Sequence, residues 1–255
     1  MRLRVLGAYG GTMPGCHMTC LLVNDQVVLD AGSLASTLTI EEQVAVRHVV
    51  LSHSHSDHIN SLPFFVENVF GRIETPVRIH AQPSVIDVVQ RHLFNNAVWP
   101  DFASIPDRVL PIIEFHPAPT MACVVLGGLR VTLVPVNHVV PTVGLIVEDD
   151  RSAFVVSGDT APTRELWEMC NDLPDGKLKA ILLETSFPNA RQALADISKH
   201  LTPQQLPAEI AKCRHACPVY LYHLKPPFLA DLGREIAALQ HPRIELLEQG
   251  RTYEL

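Results

Sequence analysis

The 255-residue chain lacks most of the features that place a protein in a special environment. No apolar run approaches the roughly 20 residues that a membrane span requires, and residues 1–7 are too short an apolar start for a signal peptide. Charged residues make up only 18% of the chain and hydrophobic residues 47%, a balance that argues against disorder. No repeat or flexible linker divides the sequence. We therefore predict a single domain over residues 1–255, located in the cytoplasm.

Clustered positive charge and paired cysteines are also absent. The chain has 20 Lys and Arg against 27 Asp and Glu, a formal charge of −7, which excludes a clamp for long nucleic acids because phosphates bind clustered cations. The six cysteines form no CxxC pair, and a chain of this length folds without disulfides, so we predict reduced thiols. Cys16 and Cys20 flank His17 in a glycine-rich loop. We interpret them as loop residues, with a metal or redox role as the alternative.

What is present is a mixture of strand and helix patterns. Short β-branched or apolar runs predict strands at 3–6, 20–23, 27–30, 48–51, 77–80, 129–136, 143–147, 153–157, 180–184 and 219–223. Helical patterns occupy 83–95, 163–171, 203–216 and 229–239. The second and third strands are neighbours across a short turn, which favours a hairpin and hence mixed sheets in an α/β domain. The proline-rich stretch 100–119 is predicted to be a loop or lid.

One segment carries most of the chemical information. The predicted strand at 48–51 runs directly into His53-Ser54-His55-Ser56-Asp57-His58, where four metal-binding side chains lie within six positions. On an extended backbone His53 and His55 point to the same side, whereas Asp57 and His58 follow after the chain turns. The spacing therefore predicts two neighbouring metal ions.

Further metal-binding side chains follow other predicted strands. His138 comes after the strand at 129–136, Asp159 after that at 153–157, and His223 at the end of that at 219–223. Each alone is ambiguous, because a single histidine after a strand is usually a surface residue. Together with the first segment they complete a metal site.

With these residues the sequence resembles the metallo-β-lactamase superfamily, and the resemblance covers nearly the whole chain. It implies a four-layer αββα sandwich with two mixed β-sheets. It also implies two divalent ions, expected to be Zn²⁺ with Mn²⁺ or iron as alternatives, and a homodimer. The implied ligands are His53, His55 and His138 for one ion, Asp57, His58 and His223 for the other, and Asp159 as the bridge. Asp30 matches an early aspartate that supports the metal loop from behind, or is a turn residue at a strand end.

The C-terminal half narrows the resemblance to the phosphodiesterase branch of tRNA 3′-processing nucleases and class II cyclic-nucleotide phosphodiesterases. The segments that carry it are Glu184-Thr185-Ser186-Phe187-Pro188-Asn189, His200-Leu201-Thr202-Pro203 and His223-Leu224-Lys225-Pro226-Pro227. A leaving alkoxide needs a proton, and His200 held by Glu184 suits that role, with Asp57 as a further catalytic residue. Thr202 is a candidate substrate contact, and it also fits the N-cap of a helix that begins at Pro203.

The segment from His92 to Phe102 resembles one found in class II cyclic-nucleotide phosphodiesterases. It implies hydrolysis of cAMP or cGMP to 5′-mononucleotides, by a hydroxide that bridges the two ions. Asn95 and Trp99 are the candidate contacts to the base, with packing as the alternative for Trp99, and Lys225 is the candidate contact to the phosphate. Ser56 replaces an apolar residue of the class II pattern, which affects loop packing rather than metal ligation.

Three other functions compete with this interpretation. An RNase Z-like tRNA 3′-processing phosphodiesterase normally carries a basic arm, which this acidic chain lacks. A superfamily thioesterase or sulfatase would not need Glu184, His200 or the segment from Asn95 to Trp99. A sensor without activity would have lost at least one ligand. The predicted partner is thus a small cyclic nucleotide, with neither long nucleic acid nor membrane.

Overall fold

The computed structural model describes residues 1–106 and 110–255. In this part of the chain the strands are β1 (Arg2–Gly7), β2 (Cys20–Val23), β3 (Val27–Leu29), β4 (His48–Val50), β5 (Val77–Ala81), β6 (Ile113–Pro117), β7 (Cys123–Leu126), β8 (Leu129–Pro135), β9 (Val143–Glu148), β10 (Ala153–Val156), β11 (Leu178–Glu184), β12 (Val219–Tyr222), β13 (Ile244–Leu246) and β14 (Thr252–Glu254). The α-helices are α1 (Leu34–Thr37), α2 (Ile40–Ala45), α3 (Ser56–Ile59), α4 (Leu62–Val69), α5 (Pro83–His92), α6 (Glu165–Asn171), α7 (Gln192–Ser198), α8 (Leu206–Ile210) and α9 (Leu229–Ala238).

Over the described residues the strands form two mixed sheets of seven strands each. The first has the order β14-β1-β2-β3-β4-β5-β6, antiparallel as far as β3 and parallel from β3 to β6. The second has the order β13-β12-β11-β10-β9-β8-β7, antiparallel from β7 to β10 and parallel from β10 to β13. The predicted hairpin of β2 and β3 is confirmed. So are the mixed sheets.

Among residues 1–106 and 110–255, three hydrophobic clusters fill the spaces between four layers. One joins the first sheet to helices α1, α4 and α5, one lies between the sheets, and one joins the second sheet to α6, α8 and α9. Successive side chains of a strand point to opposite faces, so Val49 belongs to the first cluster and its neighbour Val50 to the second. This arrangement is the αββα sandwich that the resemblance implied.

Helix α4 shows how the sequence builds one of these interfaces. Its buried residues Leu62, Phe65, Val66 and Val69 recur at helical spacing and face the first sheet. Phe65 is fully buried, whereas its neighbour Phe64 is 51% exposed. The two phenylalanines therefore form a matched pair for a packing test.

We expect Phe65→Ala to lower the free energy of unfolding by about 3–5 kcal/mol, because it removes buried apolar surface and leaves a cavity. Phe64→Ala should change it by less than about 0.5 kcal/mol, because it alters a surface side chain. Urea denaturation of both variants measures the difference. Equal losses would show that α4 does not pack as described.

Several sequence predictions were wrong in their bounds. The stretch 100–119 was predicted to be a loop, but Ile113–Pro117 forms β6 at the edge of the first sheet, where a proline is tolerated because its missing N–H faces no partner strand. Residues 107–109 of that stretch lie outside the described residues. The helix predicted at 203–216 is a 3₁₀ turn, Pro203–Gln205, followed by the short α8, and the helix predicted at 83–95 ends at His92.

Other elements were not predicted at all. Strands β7, β13 and β14 are short and lie at or beside sheet edges, where few residues are buried to produce a pattern. Helices α1 to α4 and α7 are also short, between four and eight residues. Among the described residues, none of the helices has the length and apolar character needed to cross a bilayer.

Candidate metal centre

The candidate site lies where strands of both sheets reach their carboxyl ends. Beyond β4 comes His53, beyond β8 His138, beyond β10 Asp159 and beyond β12 His223, while Glu184 is the last residue of β11. Strands β8, β10, β11 and β12 run in the same direction, so their carboxyl ends share one edge of the second sheet. The fold thus brings together residues that are far apart in the sequence.

Three residues at or beside the site, Asp30, Gly158 and His223, have left-handed backbone conformations. Asp30, directly after β3, has a φ of 56°, and His223 has a φ of 63°. Such left-handed conformations of residues other than glycine cluster at functional sites. Gly158, before Asp159, has a φ of 63°, and a Cβ atom there would lie 2.5 Å from the carbonyl oxygen of Val143. A glycine is therefore required for the chain to turn Asp159 into the site.

The first group of donors consists of His53, His55, His138 and Asp159, whose ligand atoms all lie within 4.8 Å of one another. Nδ1 of His55 is 3.4 Å from Nε2 of His138. Nε2 of His53 is 3.6 Å from Oδ2 of Asp159. Three imidazole nitrogens and one carboxylate oxygen therefore face a common point.

The second group consists of Asp57, His58 and His223. Nε2 of His223 is 3.2 Å from Nε2 of His58 and 3.2 Å from Oδ2 of Asp57. Oδ1 of Asp159 lies 3.3 Å from both of these histidine nitrogens. Asp159 therefore presents one carboxylate oxygen to each group.

Buried polar contacts orient His53 and His58 toward the centre. Asp30 accepts a 2.7 Å hydrogen bond from Nδ1 of His58 and two more from the amide and hydroxyl of Ser52. Since the Ser52 hydroxyl donates its proton to Asp30, its oxygen accepts from Nδ1 of His53 at 3.0 Å. These contacts engage Nδ1 of both rings and leave Nε2 facing inward, the arrangement in which Nε2 would bind a metal ion. The Asp30 carboxylate thus contacts the metal-binding loop from behind, and its role in supporting the metal ligands stays a prediction.

His138 and His223 are oriented in the same way. Nδ1 of His138 donates to the carbonyl oxygen of Lys199 at 3.1 Å. The Ser186 hydroxyl donates to Oε2 of Glu184 at 3.0 Å and so accepts from Nδ1 of His223 at 2.9 Å. Outer contacts of this kind fix the tautomer of metal-binding histidines.

The donor set fits divalent metal ions. Among the described residues, Nε2 of His53 and Oδ1 of Asp159 are buried without a hydrogen-bond partner. Burial and the nearby His58 hold the pKa of His53 well below its usual range, so this ring is neutral. Burial opposes ionisation of Asp159, but His223 and His58 hold its pKa well below its usual range. Neutral imidazole and ionised carboxylate are the forms that bind metals.

His200 and Glu184 form a pair beside this cluster. Nδ1 of His200 is 2.9 Å from Oε1 of Glu184, and both side chains are almost completely buried. The His200 ring stacks on that of His223 at 5.5 Å and meets that of His138 edge-on at 5.1 Å. Although burial favours the neutral ring, the Glu184 carboxylate raises the pKa of His200 above its usual value.

Two of the predicted substrate contacts, Lys225 and Thr202, each follow a histidine of the site by two residues in the sequence. Their surroundings differ. Nζ of Lys225 donates to Oδ2 of Asp57 at 3.3 Å, so its charge faces the second donor group. Thr202 is fully buried, and its hydroxyl donates to the side chain of Gln192 at 2.6 Å. It also occupies the N-cap position before Pro203, as the sequence predicted.

The two predicted base contacts, Asn95 and Trp99, are engaged in their own loop. Oδ1 of Asn95 accepts hydrogen bonds from the amides of Ala97 and Val98. Trp99 meets the ring of Phe64 edge-on at 5.2 Å. Their contacts are those of loop packing, which was the alternative for Trp99.

Sequence reasoning assigned no role to Ser52 or Ser186, whose hydroxyls orient His53 and His223. A serine next to a histidine is too common to indicate such a contact. The one available signal is that each serine follows the end of a buried strand by two residues.

Comparison with known proteins agrees with this architecture. A family model described as the β-lactamase superfamily domain matches residues 27–223. The solved structure of unliganded yeast PDE1 superposes with a TM-score of 0.82 at 19% sequence identity, over 98% of each chain.

Two curated relatives have different names. A "Probable 3′,5′-cyclic-nucleotide phosphodiesterase" of Yersinia pestis is 25% identical over 92% of this chain and 80% of its own length. A "Ribonuclease Z" of Mycobacterium marinum is 29% identical over 78% of this chain and 76% of its own length. Both names describe cleavage of phosphodiester bonds.

Proposed function

Because this chain belongs to the β-lactamase superfamily, we propose that its buried histidines and aspartates bind divalent metal ions and that the protein hydrolyses a phosphodiester. The substrates that we propose are 3′,5′-cyclic nucleotides, cAMP or cGMP, and the products are 5′-mononucleotides. The observation that carries the reaction class is the His200–Glu184 pair, a proton donor placed against the metal cluster. The substrate class is supported by the relative of that name, which aligns with 92% of this chain.

Two Zn²⁺ ions suit the two donor groups, because imidazole-rich sites favour zinc, with Mn²⁺ and iron as alternatives. His53, His55 and His138 would hold one ion, Asp57, His58 and His223 the other, and Asp159 both. Ions bound there would lower the pKa of water and neutralise charge on the phosphodiester.

The remaining steps fall to side chains of the chain itself. With Nδ1 of His200 bonded to Glu184, Nε2 is the atom that donates a proton to the leaving 3′-oxygen. Glu184 keeps the ring in place and favours its protonated form. Lys225, whose ammonium group forms an ion pair with Asp57, would attract the negatively charged phosphate of the substrate. Asp57, whose Oδ2 lies 3.2 Å from Nε2 of His223, would hold the second ion together with that ring and so take part in catalysis through the ion.

We also propose that residues 1–255 act as one domain, since the inter-sheet cluster includes residues from both ends of the chain, Leu3 and Tyr253. Homodimer formation and a cytoplasmic location stay predictions. Gel filtration with light scattering tests the first of them.

The direct test is hydrolysis of 3′,5′-cAMP and 3′,5′-cGMP by protein whose metal content has been measured, with bis(p-nitrophenyl) phosphate as a generic control. We expect release of the 5′-mononucleotide with a turnover on the order of 1–10³ s⁻¹, and its loss after chelation. Activity on bis(p-nitrophenyl) phosphate alone would show that the substrate is a phosphodiester other than a cyclic nucleotide. Inactivity on all three with metal bound would contradict it.

The Ribonuclease Z relative favours a second candidate, cleavage of tRNA 3′ ends. The formal charge of −7 speaks against it, because RNA binding depends on clustered cations. Incubation with a precursor tRNA separates the candidates: a cleaved 3′ trailer together with intact cyclic nucleotides would favour the ribonuclease.

A further inference from the structure

A cavity of about 490 Å³ lies beside the second donor group and is not used by the steps described above. Its lining includes Thr12, His17, Ser33, Asn60, Phe64 and Asn68. The volume falls within the range of small-molecule sites. Neither an acidic nor an arginine or lysine side chain is among the described residues that line it.

The cavity wall is joined directly to the metal-binding segment. The amide of Ala31 donates to the carbonyl oxygen of His58 at 2.7 Å, and the amide of Ser61 donates to the carbonyl oxygen of Ala31 at 2.9 Å. Gly32, which lines the cavity, is packed so tightly that a Cβ atom there would lie 2.2 Å from the carbonyl oxygen of Asp57. The wall of the cavity therefore packs directly on the backbone of the segment that carries Asp57 and His58.

The opposite wall is also fixed to the centre. The loop from β1 to β2 supplies Thr12 and His17 to the cavity. In the same loop Gly10 packs against His223, where a Cβ atom would lie 2.6 Å from the imidazole. The loop thus connects a predicted ligand to the far side of the cavity.

Phe64 gives the cavity an aromatic surface. It is 51% exposed although its neighbours on α4 are buried, and Trp99 packs edge-on against its ring at 5.2 Å. The orientation of the ring is therefore held from one side while the rest of it is open to a ligand. An exposed, oriented aromatic ring is a stacking platform for a nucleobase.

Asn60 and Asn68 add polar groups of one kind. Asn60 lines the cavity as the C-cap residue of α3, three residues after Asp57, and no hydrogen bond of its side chain is found among the described residues. Asn68 donates from Nδ2 to Gln43 at 3.0 Å, which leaves its carbonyl oxygen as an acceptor. An amide pairs its acceptor and donor with N6 and N7 of adenine, whereas guanine presents two acceptors on that edge.

We propose that this cavity binds the base of the cyclic nucleotide, with Phe64 stacking on it and the Asn60 amide selecting adenine over guanine. The proposal rests on the proposed function, because it requires a nucleotide phosphate at the metal centre. It replaces the predicted base contacts Asn95 and Trp99 by residues that face a cavity, and it leaves Trp99 as the support of Phe64.

The test compares Phe64→Ala, Asn60→Ala and the control Phe70→Ala on cAMP, cGMP and the base-free 1-deoxyribose 3,5-cyclic phosphate. Phe70 is a matched control because it is 47% exposed at the end of the same helix but lines a different cavity. We expect Phe64→Ala to raise KM for cAMP about tenfold and to leave hydrolysis of the base-free ester unchanged. Asn60→Ala should remove an expected preference of about tenfold for cAMP over cGMP. Phe70→Ala should match the parent protein.

Binding measurements distinguish failure of this proposal from failure of the proposed function. Calorimetry with metal-loaded protein compares 5′-AMP with ribose 5-phosphate. If cyclic nucleotides are not hydrolysed but AMP binds and Phe64→Ala weakens it, the function is wrong and the base site stands. If cAMP is hydrolysed and neither variant changes KM or base preference, the base site is overturned and the function stands.

Discussion

Asp159→Ala is expected to lose both metal ions and all measurable hydrolysis. One carboxylate oxygen, Oδ2, lies beside His53 in the first donor group, and the other, Oδ1, lies beside His58 and His223 in the second. Removal of the side chain therefore takes an anionic donor from both groups at once. Loss of an outer contact to a metal ligand costs about 10–100-fold in affinity, so loss of a shared ligand should cost more than about 100-fold. Elemental analysis after dialysis measures the metal, and cyclic-nucleotide hydrolysis measures the activity.

An exposed aspartate, Asp175, provides the control for the Asp159 variant. Asp175→Ala removes a carboxylate whose side chain is 87% exposed, so it should keep both ions. Circular dichroism checks that Asp159→Ala folds, and Asp159→Asn, which keeps the shape and one oxygen, provides a second variant if it does not. A folded Asp159→Ala protein that retains two ions would refute the bridging role. If only Asp159→Asn folds, an unchanged affinity for both ions would refute it.

The clustering of the candidate ligands was predictable because its signal is local and chemically unusual. Four donors within six positions, directly after a buried strand, seldom occur in a protein that binds no metal. His138, Asp159 and His223 follow strands whose apolar runs are easily recognised. The structure places all of these side chains in two adjoining groups, together with Glu184 and His200.

What the sequence could not provide depends on contacts between distant segments. Ser186 orients His223 only because β11 and β12 are neighbours in the sheet, so no local pattern indicates the contact. Asn95 carries an amide that could recognise a base, but its side-chain oxygen accepts hydrogen bonds from the backbone of its own turn, at Ala97 and Val98. Phe64 was overlooked because it lies among apolar residues, and only the fold distinguishes the exposed ring from its buried neighbours.

His200→Ala is expected to lower turnover of cyclic nucleotides by about 10²–10⁴-fold while metal content stays unchanged. The reason is that in the proposed mechanism His200 would supply the proton for the leaving oxygen, whereas neither of the two donor groups includes it. Its Nδ1 is bonded to Glu184, so Glu184→Gln should also reduce turnover, by weakening the ring's positioning and its protonated form. Single-turnover kinetics and elemental analysis of the same preparations separate the two effects.

The structure also defines the competing role for His200. Its ligand nitrogen lies within 4.8 Å of donor atoms of Asp159 and His223, so a metal ion shifted toward that side would take His200 as a ligand. In that case His200→Ala would lose metal and activity in equal measure, and the proton-donor role would be wrong. A partly exposed histidine elsewhere, His116, serves as the control, since it contacts Glu114 on β6 and its replacement by alanine should change neither quantity. Because a proton donor matters most for a poor leaving group, His200→Ala should also slow bis(p-nitrophenyl) phosphate much less than cAMP, a difference that a lost metal ligand would not produce.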